Sequence, residues 1–144
     1  MKDAFGGLLN IFFVVIFLVI VSGILGLIVN YTKAFRMKNT VISVIEQYDG
    51  AKGCFSDKAT GATRCREKVA ERAKSIGYHP TSLYCPADYT ASDSYFCYKR
   101  VDSGSGRGYI YSVITQVDIN IPIINRIMGL SIFQVHGDTR TLNK

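Results

Sequence analysis

The chain has 144 residues, 48% of them hydrophobic and 19% charged, with a formal net charge of +6. That composition excludes a disordered or collagen-like chain, and the length suits one domain of ordinary size. No charged residue occurs from Ala4 through Thr32, and Lys2 and Asp3 cancel. The positive excess therefore belongs to the roughly 112 residues that follow. A water-soluble globule burying its whole length in one core is excluded.

The first element is an anchor, residues 1–32, whose apolar part reads AFGGLLNIFFVVIFLVIVSGILGLIVNYT. As a helix, residues 4–29 would run about 39 Å. About 20 residues cross the hydrocarbon of a bilayer. In lipid a lone segment satisfies its own backbone only as a helix, so one transmembrane helix is expected. A cleaved signal peptide is the alternative. Its apolar region runs about 7–15 residues to a small-x-small site. Here the run is longer, and Ser22 and Gly23 sit inside it with no A-x-A pattern. Ser22 and Gly26 have small-xxx-small spacing with Gly23 beside them, which suits close helix packing in lipid.

Sidedness has two opposing signals. Lys33, Arg36 and Lys38 follow the apolar run, and the bias of Lys and Arg toward the cytoplasm would place that flank inside. On either side, those three cations are expected to meet anionic lipid headgroups. The cysteines argue the other way, and a short N-terminal tail is easier to leave inside than a disulfide-bearing domain. The reading adopted is N-terminus cytoplasmic, C-terminal domain extracytoplasmic.

Residues 33–50 continue the helix. Ala34, Met37, Val41, Val44 and Tyr48 follow 3-4-3-4 spacing, and no Pro or Gly intervenes before Asp49-Gly50. This is an amphipathic stripe. It packs on the protein's own soluble domain, on neighbouring copies, or on both at different heights.

Residues 51–144 read as an α+β head. A loop precedes a second helix at residues 62–76, whose apolar face is Cys65, Val69, Ala73 and Ile76; Gly77 caps it. Pro80 and Pro86 keep residues 78–93 irregular. Strands are expected at 95–101, 109–121 and 131–141, with a flexible turn at 102–108 and an apolar connection at 123–130 closed by Gly129. On the second strand Tyr109, Tyr111, Val113, Val117, Ile119 and Ile121 face one way; Ser112, Gln116, Asp118 and Asn120 face the other. Three antiparallel strands with helix on one face would form the head.

Four cysteines, Cys54, Cys65, Cys85 and Cys97, all follow the membrane segment. An even number there reads as disulfides in an oxidising compartment. Three pairings are possible; Cys54–Cys65 with Cys85–Cys97 is preferred because each closes a short loop. A zinc site lacks any C-x-x-C knuckle and nearby His, and free buried thiols are the other alternative.

Catalytic patterns are absent: there is no G-x-S-x-G, H-E-x-x-H or P-loop sequence. His79 and His136 read as surface residues. Gly104-Ser-Gly-Arg-Gly108 opens a strand rather than a helix, so it reads as a hairpin turn. Asn30-Tyr31-Thr32 forms a glycosylation sequon that abuts the membrane and is given no weight. Nine Tyr, eight Phe and a basic balance would suit DNA. The main basic cluster, Arg64 to Lys74, is interleaved with Glu67 and Glu71 at salt-bridge spacing and reads as a solvated helix face. No enzyme activity, cofactor, metal or nucleic-acid partner is expected.

A charge-poor helix, its amphipathic continuation and a small cysteine-bearing head together resemble pilin-like subunits, most closely the TadE-like minor pseudopilins of the tight-adherence (Tad) pilus system. Ser112-Val-Ile-Thr-Gln-Val-Asp-Ile-Asn-Ile-Pro122, an apolar connection, and Ile132-Phe-Gln-Val-His-Gly-Asp-Thr139 resemble the paired terminal strands of that family. The likeness is specific in about the first 48 and last 35 residues. Gly6 and Gly7 could supply a prepilin cut, but the apolar run lacks the Glu that prepilins carry near the mature N-terminus. The resemblance implies an unprocessed, membrane-retained accessory subunit in a homo- or hetero-oligomer with other pilin-like subunits. The expected function is a non-enzymatic single-pass subunit of a pilus-like or secretion assembly. The alternative is an anchored extracytoplasmic module that binds a ligand, surface or DNA outside any pilus.

Overall fold

The computed structural model describes residues 2–48, 54, 62–92, 95–104, 108–118 and 132–143. Helix α1, Lys2–Gln47, is a single run of 46 residues, about 69 Å long at the helical rise. Helix α2, Ala62–Ile76, follows the expected span. Gly77, at φ +67°, donates to the Lys74 carbonyl at 3.1 Å, and the Tyr78 N–H reaches the Ala73 carbonyl at 2.9 Å. This pair of bonds is the Schellman closure that a residue without Cβ permits.

The strands are β1, Thr90–Ser92; β2, Phe96–Asp102; β3, Gly108–Asp118; β4, Ile132–Asp138; and β5, Leu142–Asn143. They form one antiparallel sheet in the order β1-β2-β3-β4, with β5 also on β3. The head is α+β, but three strands is too few. Short β1 and β5 exist by pairing with β2 and β3, and two or three residues are too few to show alternation. The expectations for residues 49–53, 55–61 and 119–131, including Pro122 and Gly129, lie outside the described residues.

One face of β3 carries Tyr109, Tyr111, Val113, Thr115 and Val117, all buried against the helices. The opposite face departs from expectation: Ile114 and Gln116 are also buried. The segment after α2 crosses over it, and its disulfide Cys85–Cys97 (Cα–Cα 5.6 Å) ties it to β2. The second disulfide joins Cys54 to Cys65 on α2, Cα–Cα 5.1 Å.

The core joins the second half of α1 to the head. Ala34, Met37, Val41, Val44 and Ile45 are buried together with Cys65, Val69 and Ala73 of α2 and the inner face of β3. Tyr48 packs against this cluster, half-buried. The amphipathic stripe is therefore spent on the protein's own head, and residues 34–48 are part of its core.

Candidate membrane anchor and the base of the head

Among the described residues, nothing packs on the first half of α1. It is long and apolar enough to cross a bilayer, and none of its most apolar 18-residue window is buried. Large side chains from Leu8 to Ile20 are all exposed. Its hydroxyls are satisfied within the helix: Ser22 Oγ donates to the Leu18 carbonyl and Thr32 Oγ1 to that of Ile28, both at 2.8 Å. Such bonds back to the preceding turn satisfy both aliphatic hydroxyls within the helix. Nothing lies within 4 Å of where a Cβ would stand on Gly23 or Gly26, so the small-residue track Ser22–Gly26 is open.

Above the rod, contacts climb α1 in register with the sheet. Val117 of β3 and Phe133 of β4 face Leu27, Ile28 and Tyr31 across an opening. Higher up, Thr115 Oγ1 donates to the Ala34 carbonyl at 3.0 Å. Gly137 passes over Lys38 and Ile42, where an added Cβ would stand 2.6 Å from Lys38 Cδ. At the top Glu46 accepts the Arg140 N–H at 2.9 Å and pairs with its side chain at 3.3 Å. Strand β3 thus descends toward the rod and β4 ascends from it. Helix α2 also descends: Lys68 lies over the Tyr48 ring, and Gly77 sits beside Lys33.

The base of the head is formed where α2 and β3 end and β4 begins. Two openings flank Val117 there. One, of about 280 Å³, is a slot whose lining among the described residues is Leu27, Ile28, Tyr31, Val117 and Phe133. The other, of about 220 Å³, brings Asn30 and Lys33 of α1 to His79, Thr81, Gln116 and Asp118. The Asp118 carboxylate accepts the Thr81 N–H. A third, polar furrow lies between α1 and α2, with Asn39, Ser43 and Gln47 facing Lys68, Glu71 and Arg72.

A buried phenol organises this base. Tyr78 O–H donates to the Gln116 carbonyl and accepts from the Gln116 N–H, both at 3.0 Å. The Gln116 side chain in turn clasps the backbone of Tyr84 from both sides, and Gln134 adds a bond at 3.2 Å. Burial away from water pushes the Tyr78 hydroxyl from 10.0 up to about 12; the Gln116 backbone opposes this and the Asp118 charge adds to it.

The three cations after the apolar run have different surroundings. The Lys33 ammonium is 3.7 Å from where a Gly77 Cβ would stand, at the C-terminal end of α2, where the helix dipole favours positive charge. Arg36 is exposed. Lys38 lies 4.2 Å from the Phe35 ring centroid, with its stem beneath Gly137. His79 and His136 are both exposed. Among the described residues, no three His, Cys, Asp or Glu side chains are placed to hold a metal ion.

Sequence reasoning missed the roles of Tyr78, Gln116 and Phe133. Nothing local marks the first two, because their partners lie 38 residues apart in the chain. Phe133 carried a readable signal, as it continues the apolar alternation of β4 beyond Val135. No known protein family matches the chain, and no curated protein or solved structure does so at a significant level.

Proposed function

We propose that this chain is a non-enzymatic, single-pass membrane subunit that holds a disulfide-bonded head outside the cytoplasm within a pilus-like or secretion assembly of TadE-like character. The observation that carries the reading is the division of labour along α1. One unbroken helix is apolar and bare over its first half and is the core of the head over its second. A bare apolar rod of this size is costly in water and is at home in lipid. Two disulfides favour an oxidising compartment. The open track at Ser22 and Gly26 offers a neighbouring rod a close approach.

One observation favours a second reading, an anchored binding module that works outside any pilus. The stripe Ala34, Met37, Val41 and Val44, which neighbouring subunits would otherwise share, is buried internally. The test has two arms. Alkaline phosphatase and a cytoplasmic reporter are fused separately after Lys144; phosphatase activity alone is expected, and activity of the cytoplasmic reporter alone rejects the sidedness. Ser22→Cys is then oxidised in native membranes. Cross-linked dimer supports assembly, whereas monomer alone rejects it and leaves the binding module.

A further inference from the structure

The core face of β4 runs Gly137, Val135, Phe133 toward the rod. Val135 is 7% exposed and Phe133 49%, so the core ends between them while the apolar pattern does not. Across the slot stand Ile28 and Tyr31, also about half exposed. Both walls of the slot are therefore apolar, and no other described part of the chain covers them.

The slot also lies at a defined height. A hydrocarbon core of about 30 Å takes about 20 residues of helix. Centred in the uncharged stretch from Ala4 to Thr32, these end near Ile28, at the height of the slot. Lys33 lies five residues beyond Ile28, about 7.5 Å higher, within a headgroup layer about 5–8 Å thick per leaflet. The uncharged stretch, Ala4 to Thr32, would span about 43 Å as helix. It outlasts the hydrocarbon, and a surplus of this kind is absorbed by tilt or by sinking apolar protein at one end.

Resting on the anchor reading above, we propose that the base of the head docks on the bilayer itself: the slot between α1 and the adjoining ends of β3 and β4 takes acyl chain of the facing leaflet, and Lys33 and Arg36 stand among its phosphates. Three features select lipid as the occupant. The α1 wall of the slot is continuous with the bare rod. Tyr31 lines it and Phe35 follows one turn higher on α1, both exposed, as aromatic side chains are at the edge of a bilayer. Lys33 and Arg36 follow the slot on α1 and supply the positive charge that lipid phosphates attract.

The chain contains no Trp, so Phe133→Trp places a single reporter in the slot. Val101→Trp, at the far end of β2 and 43% exposed, is the comparison. Each full-length variant is reconstituted in phosphatidylcholine–phosphatidylglycerol vesicles, with and without lipid brominated on the upper acyl chain. The Phe133→Trp reporter is expected to be quenched several-fold more strongly than the Val101→Trp reporter and to emit at shorter wavelength. Equal quenching overturns the proposal. So does a blue shift that tracks protein density rather than bromine, since a neighbouring copy would then be the occupant. The unaltered chain gives an independent reading in vesicles carrying a photoactivatable acyl chain: label on the β4 peptide containing Phe133 supports docking, and label confined to the rod overturns it. A chain that floats with vesicles and fails these tests overturns docking alone; one that does not float overturns the anchor as well.

Discussion

At Gln116 the strand β3 keeps β4 on one edge but has lost β2 on the other. Strand β2 pairs with it only as far as Ile114, and the next N–H and C=O on that edge are taken by one phenol oxygen from Tyr78. Removing that oxygen leaves two buried backbone groups unpaired at about 1–3 kcal/mol. Tyr78→Phe is expected to lower the denaturation midpoint of the head by that order, measured by urea titration in detergent. The same phenol makes stability depend on alkali. Its pKa is raised from 10.0 to about 12 on folding, so the folded state holds this proton more tightly than the unfolded chain does. The contribution is complete below pH 10.0 and is lost as pH rises through about 12. The midpoint should fall across that window, and less steeply in Tyr78→Phe; equal slopes would remove Tyr78 as the cause.

Two glycines separate strand-on-strand from strand-on-helix packing at the scale of elements. A Cβ on Gly108 would lie 2.1 Å from the Leu142 carbonyl oxygen, which is backbone and cannot swing aside. On Gly137 it would meet the flexible Lys38 side chain and the tip of Ile42. Gly108→Ala should therefore cost about 1–3 kcal/mol by overpacking and detach β5, whereas Gly137→Ala should cost less. Thermal melts of the two variants check the order, and hydrogen exchange at Leu142 checks the site. From sequence, Gly108 is merely the last residue of a turn, because its reason is a chain segment more than thirty positions away. Helix α2 was legible to the residue, since its stripe, its basic outer face and its closing Gly77 are all local. The covered outer face of β3 was not, for a polar Gln116 on a strand reads as solvent-facing until a loop is known to cross it.

For the whole molecule, a long apolar helix and a disulfide-bonded head were readable from charge and cysteine placement, because both leave their mark on composition. That rod and head share one helix was readable from the stripe Ala34 to Tyr48 and the lack of Pro or Gly; that the head buries this stripe was one of the alternatives the spacing left open. The two halves are separable by chemistry. Reduction should lower the melting temperature of the head, each opened bridge removing about 2–4 kcal/mol, while the detergent-held rod keeps its helical circular dichroism. A single melt in which rod and head lose structure together would contradict that division. The joint itself has no Pro or Gly between Val29 and Tyr48. No residue there acts as a swivel, so a sideways pull on the head becomes a torque on the rod, and the attitude of one sets the lean of the other.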